Sequence, residues 1–144
     1  MITLDELERR LEVAIKEARP AAAVGVDKTV SLAATLAAEY IGHEMPEWPP
    51  LAATTIADKQ SKGFPVPHPL ERTGAMRDSI GHEIDVAALE GVAGAKDKVA
   101  VFQEMGTERG IPPRPFLALG MKNSLPFAGD IFGEIAVKLL TGRK

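Results

Sequence analysis

Three histidines are the first residues to weigh for chemistry in this chain, because imidazole is both a common metal ligand and a base near neutral pH. His43 and His82 each precede a glutamate, Glu44 and Glu83, as at the start of a zinc-binding helix. Such a helix needs a second histidine one turn later. Neither pair has it, and His68 stands between Pro67 and Pro69. Without a third ligand at metal-site spacing, no metal centre is expected. Ser79, His82 and Asp85 supply the residue types of a nucleophilic triad. Three positions so close in sequence do not by themselves converge in triad geometry. The run Gly91 to Lys96, GVAGAK, lacks the spacing and the terminal Ser or Thr of a phosphate loop, and reads as a tight strand end. Carboxylates are spread along the chain with no apolar cluster to raise the pKa of one. The expectation is no catalytic residue, no cofactor and no enzyme. The alternative from another class is a small hydrolase or metal enzyme using His82 and nearby carboxylates.

A different kind of signal lies in Val101 to Leu117, VFQEMGTERGIPPRPFL. Phe102 and Met105 carry apolar bulk, and Gly106 permits a turn closed to other residues. Pro112, Pro113 and Pro115 fix their own backbone and offer no donors. Arg114 is thus held in a rigid frame, with Phe116 and Leu117 beginning the next element. The pattern predicts a stiff joint in which Arg114 bridges a carboxylate, Glu104 being the best placed, or caps loop carbonyls.

The elements around that joint are read from periodicity. Leu4, Leu7, Leu11, Ala14, Ile15 and Ala18 recur at helical spacing, Thr3 and Glu6 form a capping box, and Pro20 limits continuation. On the opposite face, Glu8 and Glu12 repel while Glu12 and Lys16 attract, a solvated surface. A second helix is expected after Gly25, with Asp27 as N-cap, Val30, Ala33, Leu36, Ala37 and Tyr40 on one face, and Gly42 as terminator. One long helix bent at Pro20 and Gly25 is the alternative. From Gly42 to Pro69 prolines bracket a single helix near Thr55 to Ser61. Trp48, the sole tryptophan, reads as a core anchor under this loop or as an anchor between subunits. Thr73 or Gly74 opens a short helix bearing Met76 and Ile80. HEIDV and GVAGA then read as two strands, and Val99 to Met105 as a third strand or a helical turn, with Val99, Val101 and Phe102 favouring the strand. The apolar C-terminal segment, Phe116 to Leu140, is divided at Pro126, and its second part packs on the core or between subunits. The final TGRK reads as a frayed basic tail.

The 144 residues suit one domain, which would bury about 70% of the surface of its unfolded chain. No repeat period or low-complexity linker supports a second. The division is 1–42 helical, 43–119 the motif-bearing core, and 120–144 a C-terminal helix and tail. Absence of cysteine excludes disulfides and thiolate sites. The opening residues interleave charges, so no export signal is read. Asp27, Lys28 and Glu39 interrupt the alanine-rich run Pro20 to Ile41, so no membrane span is expected. A net charge of −3, a pI near 5.6 and scattered aromatics argue against sequence-specific nucleic-acid binding. A ring through which DNA passes without being gripped stays compatible with that charge.

A tryptophan-proline-leucine segment at Trp48, a short Thr-bearing helix, PLERTGAMRDSI at Pro69 to Ile80, then an acidic-Gly-Thr turn and PPRPFL occur in this order. The combination resembles the tail-completion and neck proteins of tailed bacteriophages, also called virion morphogenesis or minor tail component proteins. It covers roughly Trp48 to Leu119. The matching positions are Trp48, Leu51, Leu70, Thr73, Gly74, Arg77, Ser79, Ile80, Phe102, Glu104, Gly106, Thr107, Pro113, Arg114, Pro115 and Phe116. Met76 replaces the usual leucine, and a Pro-rich insert runs from Lys62 to His68. The resemblance implies an α+β fold, helices at both chain ends packed on a small antiparallel sheet. It also implies a non-catalytic virion protein assembling as a ring, possibly of six copies, with other neck, connector or tail-tube proteins as partners. The location implied is the virion tail or neck, after assembly in the host cytoplasm. These positions are then structural and assembly residues, without cofactor or metal.

Overall fold

The computed structural model describes residues 1–142; the basic end at Arg143 and Lys144 lies outside them. Among the described residues it is an α+β arrangement of five helices and one two-stranded antiparallel sheet. The N-terminal helix α1, Leu4–Tyr40, runs unbroken through Pro20 and Gly25. The Thr3 side chain accepts from the Glu6 backbone N–H at 3.2 Å, as the capping box requires. The single-helix alternative is the one found: no break occurs at Pro20, and Asp27 lies inside α1 instead of capping a second helix. Pro20 is exposed, so water can satisfy the carbonyl left without its donor, and packing on either side holds the helix through it. The surface pairing also differs from expectation: Glu6 takes both Arg9 and Arg10, at 2.8 and 2.7 Å.

The C-terminal helix α5, Phe116–Thr141, lies antiparallel along α1 and likewise continues through its proline, Pro126. Small residues make the contact close. A Cβ on Gly120 would sit 2.6 Å from the Ala33 carbonyl oxygen, and one on Gly25 would enter the Phe132 ring. Gly120 and Gly133 therefore separate two opposing effects of alanine in a helix. At Gly133, where the same atom meets open space, alanine is expected to raise stability by up to about 1 kcal/mol through helix propensity. At Gly120 overpacking wins, with a loss of roughly 1–3 kcal/mol. Thermal melts of the two single variants read both signs.

The sheet pairs β1, Ile80–Asp85, with β2, Glu90–Ala95, in register from Ile80 opposite Ala95 to Asp85 opposite Glu90. The Asp85 carboxylate accepts from the backbone N–H groups of Ala87 and Ala88 and so shapes the turn. Gly91 lets β2 approach α1, since a Cβ there would lie 2.7 Å from Val30. Of the two readings of Val99 to Met105, the favoured strand is not found and the helical one is: the segment is a helix, α4, Val99–Met105. Its cause is local: the Asp97 carboxylate takes the Val99 N–H at 2.9 Å, and the Asp97 carbonyl takes that of Ala100, so a helical turn forms despite β-branched residues. Two short helices complete the chain, α2 at Ala53–Ser61 and α3 at Ala75–Asp78. The densest core gathers Ala37, Ile41, Trp48, Met76, Ala100 and Phe116, so it ties α1, the proline loop, α3, α4 and α5 together. By length and composition α1 alone passes as a membrane span, contrary to the reading of its charges. In the fold α5 and the sheet cover the apolar middle of α1.

Candidate functional site

Two of the segments singled out in the sequence, the Trp48 loop and Val101 to Leu117, meet at one joint, and the third reaches the same core through Met76. Trp48 is buried in the core cluster, and the two prolines after it turn their carbonyls toward Arg114. Arg114 is only 5% exposed and donates through Nη2 to the carbonyls of Pro49 at 2.9 Å and Pro50 at 3.3 Å. Its backbone N–H donates to the Gln103 carbonyl at 2.7 Å. Burial pushes the pKa of its guanidinium below the ordinary value. Among the described residues its Nε has no hydrogen-bond partner.

The expected Arg114–Glu104 bridge does not form; the arginine caps loop carbonyls. Glu104 instead accepts the backbone N–H groups of Leu117 and Ala118, both at 2.9 Å. These are free donors of the first turn of α5, where Pro115 occupies the capping position without a side-chain acceptor. A carboxylate there also meets the positive end of the helix dipole. Between Glu104 and Arg114 the chain reverses through Gly106, at φ 73° and ψ 179°. The Thr107–Ile111 turn follows, with the Thr107 N–H on the Ile111 carbonyl at 2.9 Å. Pro113 closes over Gly106, within 3.0 Å of where a Cβ would stand.

A second knot joins the PLERTGAMR segment to the end of α1. Arg77 pairs with Glu71 at 2.9 Å and donates to the Ile41 carbonyl at 2.6 Å, capping the helix. The other Glu71 oxygen takes His68 Nδ1 at 2.8 Å. Gly42, at φ 90°, leaves room for this pair, and its N–H donates to the Pro69 carbonyl at 2.9 Å. Buried Lys59 donates to the His68 carbonyl, and burial, then Arg72, lower its pKa. Leu70 adopts φ 63°, uncommon for leucine, and packs on the core. Gly74, at φ 85°, starts α3, with Thr73 Oγ1 3.4 Å from the Ala75 N. Met76 is buried, Leu51 half-buried and Phe102 exposed. The sequence reading missed Glu71 and Lys59. Glu71 had a signal, an acid between His68 and Arg77 in a segment already marked; the burial of Lys59 had none, since a lysine in a short helix is ordinarily exposed.

The hydrogen bond to His68 and the charge of Arg77 hold the Glu71 carboxyl below the usual carboxylate range. A depressed folded pKa stabilises above the ordinary value near 4.5, and that stability is lost as pH falls through the lower folded value. Melting temperature should therefore drop on the acid side, and Glu71→Gln should flatten that drop while lowering stability at neutral pH. Identical acid limbs in parent and variant would refute this.

The residues of triad type have separate partners. The Ser79 hydroxyl donates to the Met76 carbonyl and accepts the Asp97 N–H, His82 Nε2 lies 3.1 Å from Asp27 on α1, and Asp85 shapes the hairpin turn. His43, Arg77 and His82 line one open groove of about 610 Å³ between α1 and β1. Among the described residues no three His, Asp or Glu side chains are grouped to hold a metal ion.

No family model, curated protein or solved structure matches this chain. Arg114 and Glu104 direct their side-chain hydrogen bonds to backbone groups, and Arg77 divides its own between the Ile41 carbonyl and the Glu71 carboxylate, which ties the segments to one another.

Proposed function

We propose that this chain is a non-catalytic structural protein of a tailed bacteriophage that completes the tail or the head-tail junction as a homo-oligomeric ring. It would work beside neck, connector or tail-tube proteins, in the virion after assembly in the host cytoplasm. The observation that carries the reading is the joint itself. Trp48 and its following prolines meet Glu104, Gly106 and Arg114 of a segment far off in sequence, in one frame of buried core and backbone-directed hydrogen bonds. A ring needs one contact repeated at a defined rotation, and stiff joints set such an angle. Six copies follow from the sequence resemblance alone.

Complementation of a phage lacking the gene, with imaging of the particles, tests it. Replacing Ser79, His82 and Asp85 together by alanine is expected to leave tail completion intact, provided circular dichroism shows the fold retained. Failure of a well-folded triple variant would favour an active site. Particles carrying one copy or none at the neck or tail end would overturn the ring.

A further inference from the structure

The edge of β1 that faces the groove beside α1 carries backbone groups without a partner. Just before the strand, the Ser79 carbonyl accepts the Lys96 N–H at 3.1 Å, so that opposed pair is hydrogen-bonded. Such pairs alternate in an antiparallel ladder, and the register then gives Gly81, Glu83 and Asp85 to β2. The N–H and C=O groups of Ile80, His82 and Ile84 point the other way. Among the described residues they have no backbone partner, since β1 pairs with β2 alone. Ile80, Gly81 and His82 form one wall of the groove, over a floor of Ser31, Ala34, Thr35 and Ala38 from α1. The usual guards of a free edge are missing: Ile80–Asp85 holds no proline or lysine, and no bulge interrupts its register. An edge of this kind specifies its occupant, because only another extended backbone offers donors and acceptors at the same spacing.

We propose that the occupant is the β1 edge of a second copy, paired antiparallel about His82, so that two hairpins form a four-stranded sheet over two adjacent α1 helices. In this register Ile80 meets the partner's Ile84 and His82 meets its counterpart, so every outward group of the strand is satisfied at once. Each His82 ring stays on the helix side with its own Asp27. Charge selects the register. On the outer face Gly81 stands opposite the partner's Glu83. An axis at Glu83 would set two glutamates in direct opposition, and one at Ile84 would set Glu83 against the partner's Asp85. An axis at Gly81 would leave Ile84 outside the pairing, opposite α3. The helices fit the same two-fold. Because α1 underlies both strands, its axis sits about half a strand spacing inward of β1, and pairing the edges places the two α1 axes about 10 Å apart, the distance of packed helices. Ser31, Ala34 and Ala38 are small enough for that approach, and α5 stays clear because it lies toward β2. A two-fold contact closes on itself. The seam is therefore independent of the ring reading, and joins two free chains or two rings face to face.

The chain has no cysteine, Gly81 and Glu83 are both exposed, and a Cβ on Gly81 meets nothing within 4 Å. Single variants Gly81→Cys and Glu83→Cys, mixed in equal amounts at millimolar concentration and oxidised, should give 81-to-83 dimers well above the half that random pairing supplies. Directly opposed positions lie within disulfide reach, whereas 81-to-81 and 83-to-83 pairs do not. His82→Pro removes an outward N–H that the single chain leaves free, so it should abolish that excess and sediment as a monomer with unchanged circular dichroism. Glu83→Pro breaks a bond to β2 and should melt lower. A parent that sediments as a monomer at millimolar concentration, or links in random proportion, would overturn the seam and leave the ring reading untouched. An 81 cysteine that links to another virion protein in particles would give the edge to that protein and overturn the seam as well. Linked 81-to-83 dimers from a chain absent from particles would keep the seam and reject the phage reading.

Discussion

Gly106→Val is expected to lower stability by roughly 3 kcal/mol or to prevent folding, and in either case to abolish tail completion. Two independent costs act at this position. At φ 73° and ψ 179° the backbone occupies a region essentially reserved for glycine, which costs about 1–3 kcal/mol for any other residue. The space is also filled: a Cβ would lie 2.8 Å from the Ile111 carbonyl oxygen and 2.9 Å from the Pro113 nitrogen, and backbone cannot yield as a side-chain tip does. Overpacking of that kind adds about 1–3 kcal/mol. Gly110 is the internal control. It also has positive φ, at 100°, but a Cβ there meets nothing within 4 Å, so Gly110→Val bears only the backbone cost. Denaturant melts of the two variants should rank Gly106→Val clearly below Gly110→Val. Equal losses would show that Pro113 moves aside and that the joint is not rigid.

The turn at Gly106 was legible in the sequence because its cause is local, a glycine before a proline frame. So were the Thr3 cap, the hairpin between β1 and β2, and the burial of Trp48. What the sequence misread was decided by partners distant along the chain. Pro20 and Pro126 carry an ordinary helix-ending signal, yet both sit in helices held by the α1–α5 contact on either side of them. Val99 to Met105 has strand-like composition, and Asp97, just before it, outweighs that composition by capping a helical turn. For Arg114 the sequence left open a bridge to Glu104 or a cap on loop carbonyls, and the second is found, on two proline carbonyls; Glu104 meets backbone groups that no composition reveals, the open first turn of α5. The leucines at the start of α1 were read as one face of a helix, and the fold leaves them exposed. Periodicity identifies an apolar stripe without telling how far along it the covering helix extends.

Arg114 provides the other large effect, and here the order of substitutions matters more than the size of any one. Arg114→Ala should cost about 2–3 kcal/mol, the worth of hydrogen bonds from a charged donor, and lower the melting temperature by roughly 6–9 °C. Lysine keeps the charge but loses the fork. Its ammonium is more strongly hydrated than a guanidinium and would be buried, with no acidic partner provided by this site, so it should recover little. Methionine removes the buried charge and keeps most of the stem. The Pro49 and Pro50 carbonyls belong to exposed residues that water can reach, so their loss of a donor is partly repaired by solvent. An apolar replacement for a buried charge is often close to neutral. The expected order of stability is parent, then Arg114→Met, then Arg114→Lys and Arg114→Ala. If lysine proved as stable as the parent, the charge alone would be sufficient and the planar fork across two carbonyls would have no structural role. If methionine matched the parent in melting yet failed to complete tails, the fork would be fixing the angle between the proline loop and α5.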